Sequence, residues 1–483
     1  MQRRFPFALS AILLACAGWT PTATAATEAQ KLAAILAGDN HLDSLQAANG
    51  AWSGSDAYTG AALFALLTHQ SKWPLAATGN GGAVTAYPNL TVAKYTADVN
   101  SGINYLLNNA SVATVSVNSN TGANICPGGT GTCQAVYWSG CGDATYCTGL
   151  VTPAIDDYAV SNLSGGTNST INNSGACSAT GGQGGAALSC TSSPLTGMTW
   201  VQIAQGITNA FAASQSGATD YGGAGGWRYT IPSDTESDMS TTQWGAIASG
   251  YNENVGAVTP PVVKSLLRTY LAYQISGTTS PDIGVATYLG PVDPTALGSQ
   301  GPTASENGGW LTSNAWTGGT PASSVLAFLN SNWKAAPNGT WWGNFGTAYA
   351  MWAEYKGLES TIGLADNTHI TNLNTTCGAP NNLPGATSQS GGVCNWWEDM
   401  NQYLVTTQNP NGSWTDNVGE WSDPLNTSFF IAILDAAPLP TTITQVSPPM
   451  SVPALSAWGL LALGILLAVV AAMRMRKANS RPA

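Results

Sequence analysis

The 483-residue sequence predicts an all-α protein: a ring of about six helix hairpins with long disulfide-braced loops, plus one C-terminal transmembrane helix. Three observations predict it. A motif ending in glycine, one residue and tryptophan recurs between residues 30 and 436. Each copy is followed by a near-continuous apolar stretch, and amphipathic sequence precedes it. A final uncharged run, Ala454 to Met473, ends in the basic tail Arg474, Arg476 and Lys477.

Composition sets the outer limits. Hydrophobic residues make up 44% of the chain and 18 residues are tryptophan, against 8% charged, so a large core is expected and disorder is excluded. Six of the 14 basic residues lie at the two ends, leaving 8 against 25 acidic residues in between. A nucleic-acid partner needs a basic face to displace counterions, and this sequence supplies none.

Taken in order, residues 1–26 read as a secretory signal: Arg3 and Arg4, the apolar run Ala8 to Ala17, then Ala23-Thr24-Ala25 as a small-residue cleavage site. Leu13-Leu14-Ala15-Cys16 has the look of a lipobox, which would put a lipid on Cys16. Leucine directly before the alanine is unusual there, and an ordinary cleaved signal is the expectation.

The ectodomain, 27–436, carries the repeat. The segment from His41 to Trp52 aligns without gaps on Tyr403 to Trp414: ring, Leu, three residues, Gln, three residues, Gly, one residue, Trp. Gln46 matches Gln408. Looser copies end at Trp227, Trp310 and Trp341, and the loop around Trp138 is a sixth candidate. After the tryptophans, Asp56 precedes Thr59, Asp238 precedes Thr241 and Thr242, Asn344 precedes Thr347, and Asp423 precedes Thr427. A short side-chain oxygen ahead of an apolar run is an N-cap signal. Val263, Leu266, Leu267, Tyr270 and Leu271 share one face of the amphipathic kind of helix, with Lys264 and Arg268 on the other. Helices apolar all round must be enclosed, so the apolar set is expected inside the ring and the amphipathic set outside. Residues 111–135, 161–197, 276–305 and 366–394 are rich in glycine, serine and asparagine and are expected as loops.

Without Cys16, eight cysteines are left, and an exported chain meets oxidising conditions. They allow 105 pairings. The simplest is nearest-neighbour: Cys126–Cys133, Cys141–Cys147, Cys177–Cys190 and Cys377–Cys394. Zinc is the rival, but histidine occurs only three times and no Cys-x-x-Cys is present, so no metal or cofactor is expected.

Residues 437–452 are rich in proline and threonine, a stalk of about 45 Å if extended at ~3 Å per residue. In the last segment, 453–483, a transmembrane helix at 454–473 is long enough to cross about 30 Å of hydrocarbon. VPALSAWG, the apolar run and RMRK, in that order, resemble the C-terminal sorting signals of Gram-negative bacteria, closest to the IPTL-CTERM type, a cousin of PEP-CTERM. Pro453, Leu455, Ser456, Trp458 and Gly459 match, whereas Ala454 and Ala457 replace the usual Thr and Glu. The resemblance implies handling by an exosortase-type membrane protease. A plain single-pass anchor is the alternative.

The ectodomain repeat resembles the QW motif of the prenyltransferase and squalene-cyclase superfamily, whose domains are α/α toroids. GGWRY and TTQW, between Gly225 and Trp244, resemble the same repeat in bacterial surface relatives. In that family Gln and Trp tie the end of one helix to the start of the next, which implies a structural role for Gln46, Trp52, Gln408 and Trp414.

The family's chemistry does not carry over. The Asp-x-Asp-Asp acid of its cyclases is missing. The nearest feature is Asp234, Glu236 and Asp238, clustered acids able to raise one another's pKa, with a solvated loop ending in an N-cap as the plainer reading. Asp156-Asp157 lacks the third aspartate of a class I metal site. Gly140-Cys141-Gly142-Asp143-Ala144 lacks the glutamine of a thioester domain. The expectation is a non-catalytic envelope protein whose toroid binds a glycan, a lipid or a surface partner. The alternative is a glycosidase or lyase using two of Glu306, Glu354, Glu398, Asp399 and Glu420 across a cleft. A terpenoid-cyclase-like enzyme is a minor alternative.

Overall fold

The computed structural model describes residues 26–72, 92–118, 120–128, 131–162, 193–217, 224–232, 236–278, 283–291, 302–334, 344–374, 395–418 and 421–438. Trp341, Asp234, Glu420, the cysteines Cys177, Cys190, Cys377 and Cys394, residues 1–25 and the tail beyond 440 lie outside them.

The described chain is mostly helical. In order come α1 (Glu28–Leu45), α2 (Asp56–Lys72), α3 (Val92–Asn109), α4 (Ala144–Asn162), α5 (Trp200–Ser214), α6 (Met239–Asn254), α7 (Pro261–Gln274), α8 (Ala304–Trp316), α9 (Ser323–Asn332), α10 (Ala348–Thr361), α11 (Trp396–Thr407) and α12 (Leu425–Leu434). The even-numbered helices pack in a closed cycle: α2 on α4, α4 on α6, α6 on α8, α8 on α10, α10 on α12, and α12 back on α2. The odd-numbered helices attach to this cycle, among them α3 on α2, α5 on α6, α7 and α9 on α8, and α11 on α12.

Burial follows sequence. Every residue of α12 is buried, and α6 is buried from Met239 to Asn252. In α7 only Val263, Leu267, Tyr270, Leu271 and Gln274 are buried, one stripe at helical spacing. Ring contacts also reach across the cycle. Phe64 of α2 meets Tyr251 of α6 and Trp352 of α10, each at 5.9 Å. Trp244 of α6 stacks on Phe429 of α12 at 6.2 Å. Side chains, not solvent, occupy the middle at this level.

One hydrogen-bonding device is built three times among the described residues. Gln46 Nε2 donates to the carbonyls of Gly50 (3.0 Å) and Asp98 (2.8 Å). Gln215 Nε2 donates to Gly225 (2.8 Å) and Val263 (2.9 Å), and Gln408 Nε2 to Gly412 (2.9 Å) and Ala34 (2.8 Å). The matching indoles of Trp52, Trp227 and Trp414 donate to Leu42, Phe211 and Leu404 at 2.8, 2.7 and 2.8 Å. The indole bonds satisfy carbonyls left open where an odd helix ends, and the glutamine bonds tie α1 to α3, α5 to α7, and α11 back to α1. Glycine is required at the turn. Gly412 has φ +91, and a Cβ there would stand 2.1 Å from the Ala37 carbonyl oxygen. The α1–α11 junction adds a buried ion pair, Lys31 Nζ to Glu398 Oε2 at 2.9 Å, with Lys31 also 4.5 Å from the centre of the Trp397 ring.

The structure corrects several expectations. Residues 111–135 are not all loop: β1 (Ser111–Val115) pairs antiparallel with β2 (Cys133–Tyr137), in register Val112 to Val136. Strand-favouring Val112, Thr114, Val115, Val136 and Tyr137 and the cover provided by α5 make that hairpin favourable, and the Cys126–Cys133 disulfide closes the loop behind it. Trp310 lies inside α8, not in a turn before it, although its indole still caps Leu271 at 2.9 Å. Of the four expected caps, Asp238 alone caps its helix through its side chain. Asp56 is the first residue of α2 and accepts from Gly140 N (2.8 Å). Asn344 is buried three residues before the true N-cap, Thr347. Asp423 precedes the N-cap Pro424 and binds Thr427 Oγ1 (2.7 Å) and His41 Nε2 (2.5 Å). Asp56 and Asp423 are thus held by partners distant in the chain, Gly140 and His41. Cys141–Cys147 is the second disulfide seen. Among the described residues no helix is long and apolar enough to cross a membrane; 454–473 lies outside them.

Candidate functional site: a tyrosine-lined cluster at the even-helix N-termini

The even helices start at one end of their cycle, and their first turns meet there. Tyr146, one turn into α4, donates to Ser240 Oγ at the start of α6 (3.0 Å). Tyr349 of α10 donates to the Ser240 carbonyl (2.9 Å), and Tyr58 of α2 bonds Ser422 Oγ just before α12 (3.1 Å). The segment 286–288 joins α8 to α6: Asn307 Oδ1 accepts from Ala286 N (3.0 Å), and the Tyr288 carbonyl accepts from Met239 N (2.8 Å).

Beneath the tyrosines runs a polar chain. Lys356 Nζ donates to Gln243 Oε1 (3.1 Å), and Gln243 Nε2 donates to the Tyr349 hydroxyl (2.6 Å). Ser240 Oγ, which takes the Tyr146 proton, donates to Asp238 Oδ1 (2.7 Å). Lys356 is fully buried, 4.3 Å from the centre of the Trp244 ring, and burial holds its ammonium well below the usual lysine range.

Asp238 is the N-cap of α6. Its Oδ1 also accepts from Thr241 N (2.7 Å) and Thr241 Oγ1 (2.8 Å), while Oδ2 faces Arg228 Nε at 3.4 Å. Burial raises its pKa although these bonds work the other way. Arg228 also holds Glu236. Above them the Tyr229 and Tyr288 hydroxyls bond at 2.5 Å, and the Tyr146 and Tyr229 rings stack at 6.4 Å. Trp421 completes the rim, 4.8 Å from Tyr349 and 5.0 Å from Phe429. Tyr58, Tyr146, Tyr229, Tyr288 and Trp421 are half-buried.

The other acids are scattered. Glu306, in the first turn of α8, accepts from Ser305 Oγ (3.2 Å), and burial raises its pKa to about 7. Glu354 is buried within α10 and pushed well above its usual range by that burial. Glu398 serves Lys31, and Asp399 Oδ2 accepts from Trp333 Nε1 and Asn374 N, both at 2.8 Å. Asp156 and Asp157 lie in α4, with raised pKa from burial. Among the described residues no three His, Cys, Asp or Glu side chains are grouped to hold a metal ion. The tyrosines, Lys356 and Gln215 escaped the sequence reading. A tyrosine in the first turn of three apolar stretches (Tyr58, Tyr146, Tyr349) was the available signal. Gln215 was hidden because nine residues, not three, separate it from its glycine.

A concavity of about 550 Å³ lies between α9 and the chain after α10, lined in part by Ser323, Leu326, Ile362 and His369. There His369 Nδ1 bonds Asp366 Oδ2 at 3.0 Å. Burial works to raise the Asp366 pKa, but bonds from His369 and Thr368 hold it below its ordinary value.

No curated protein and no solved structure matches the chain. Residues 450–477 match the IPTL-CTERM motif, so the chain carries the C-terminal sorting signal of an exported protein directed to the cell surface.

Proposed function

We propose that the ectodomain is an α/α toroid of six helix hairpins that acts as a non-catalytic binding module for a glycan at the bacterial envelope. The closed cycle of even helices, and the Gln–Trp device repeated at three junctions, support the toroid. They also agree with a likeness to the QW-repeat superfamily. The sorting motif supports processing of the tail by an exosortase-type membrane protease, after export directed by residues 1–26.

The half-exposed aromatic rings over a hydrogen-bonded floor carry the glycan reading. Sugar faces stack on such rings, and tyrosine, serine and arginine groups bond hydroxyls. The acids favour binding over catalysis, because Asp238 is committed to capping and Glu398 and Asp399 to packing. Glu306, neutral in part near pH 7, is the one observation favouring a glycosidase.

Isothermal titration against a panel of polysaccharides tests this. Tyr146→Ala with Tyr229→Ala should weaken binding at least tenfold, about 1.4 kcal/mol, with the fold retained. Retained affinity would sink the assignment. Release of reducing sugar that Glu306→Gln abolishes would establish the enzyme instead.

A further inference from the structure

We propose that Asp39, His69 and Asp435 form a charge latch holding the chain's exit at the C-terminal ends of the even helices, the end opposite the tyrosine cluster. The inference is independent of what that cluster binds. His69, in the last turns of α2, places Nδ1 3.3 Å from Asp39 Oδ2 on α1 and 3.5 Å from Asp435 Oδ2, the C-cap of α12. All three side chains are at most 1% exposed. Two buried carboxylates around one imidazole are costly unless that ring is charged.

The exit follows at once. Ala436 adopts a left-handed φ of +50, a strained conformation for a non-glycine residue that needs support from its surroundings. Tyr355 of α10 donates to the Ala437 carbonyl and Tyr251 of α6 to the Pro438 carbonyl, both at 2.8 Å. Three helices of the cycle thus grip four residues: α2 through His69, α10 and α6 through tyrosines.

Among the described residues the charged groups against His69 are Asp39 from α1 and Asp435 from α12; Tyr95 of α3, close to both carboxylates, donates its hydroxyl to the Leu66 carbonyl. Glu359 and Tyr355 of α10 stand near Asp435 and the exit. Burial alone would lower the His69 pKa, but Asp39 and Asp435 overcome it and raise it to about 9. A raised histidine adds stability that is complete below about 6.5 and lost as pH rises through about 9. Asp39, raised to about 7 mainly by burial, gives the same sign over a lower window, from about 4 to 7. Latch strength between pH 7 and 10 therefore reports His69.

Hydrogen exchange reads it directly. The amides of Asp435, Ala436 and Ala437 donate to Ile431, Ile433 and Ala432 at 2.8, 3.1 and 2.9 Å. In the full-length protein, opening of these amides, corrected for intrinsic rates, should become between tenfold and about 70-fold more frequent from pH 7 to 10; the upper bound is the ratio over that window set by values of 6.5 and 9. His69→Gln should open them at pH 7 and remove the pH dependence. Tyr355→Phe with Tyr251→Phe should open Ala437 and leave the pH dependence at Asp435. Wild-type protection unchanged between pH 7 and 10 overturns the latch, as does a folded His69→Gln protein that keeps the wild-type profile.

Discussion

Replacing Trp414 by alanine tests the junction that closes the helix cycle. The side chain is 2% exposed, packs edge-on against Phe430 at 5.9 Å, and lies against Gly38 of α1. Loss of a buried tryptophan costs about 3–5 kcal/mol, because surrounding atoms only partly collapse into the space. The Leu404 carbonyl, bonded by the indole at 2.8 Å, would also lose its partner at the end of α11. Unfolding entropy is about 2.1 cal/mol/K per residue, so a domain of about 400 residues gains roughly 0.8 kcal/mol/K at its midpoint. A loss of about 4 kcal/mol then lowers the melting temperature by about 5 °C. Scanning calorimetry of the oxidised protein measures it, with Tyr229→Ala at the tyrosine cluster as the comparison, expected to shift less. An unchanged midpoint for Trp414→Ala, or lost glycan binding with an unchanged midpoint, would refute the structural assignment.

Asp238→Asn should unfold within about 0.5 kcal/mol of the wild type, since asparagine caps as well as aspartate, whereas Asp238→Ala should lose about 1 kcal/mol; denaturant titration separates them. Lys31→Met alone should cost about 3–5 kcal/mol by leaving Glu398 buried without its partner, and adding Glu398→Met should restore much of that; a double-mutant cycle without coupling would remove the pair from the ring-closing account. Peptide mapping without reduction should find Cys126–Cys133 and Cys141–Cys147, and also Cys177–Cys190 and Cys377–Cys394; a link between Cys126 or Cys133 and Cys377 or Cys394 would defeat nearest-neighbour pairing. An epitope tag after Ala483 should be lost from mature protein while the ectodomain persists, and a retained tag would leave a plain anchor.

The sequence by itself determined the elements whose signal is local. A helix apolar all round has to be enclosed wherever it sits, so α6, α10 and α12 were legible from composition alone. The Gln-x3-Gly-x-Trp spacing was legible at Gln46 and Gln408, where a short turn with a left-handed glycine joins the two helices; at Gln215 a longer loop builds the same bonds. Asp238 was recognisable as a cap because its partner, Thr241 N, is only three residues away. Tertiary structure decided everything that rests on partners distant in the chain. Asp56, Asn344 and Asp423 carry the same local signal as Asp238, yet donors from Gly140 and His41 claim two of them. The 111–137 hairpin required α5 to cover it. Lys356 reads as an ordinary surface lysine, and only the meeting of α6 and α10 buries it over Trp244. The tyrosine cluster and the latch at His69 each draw on several helices. No spacing in the sequence encodes them, because the through-space distances that give those groups their chemistry exist only once the cycle has closed.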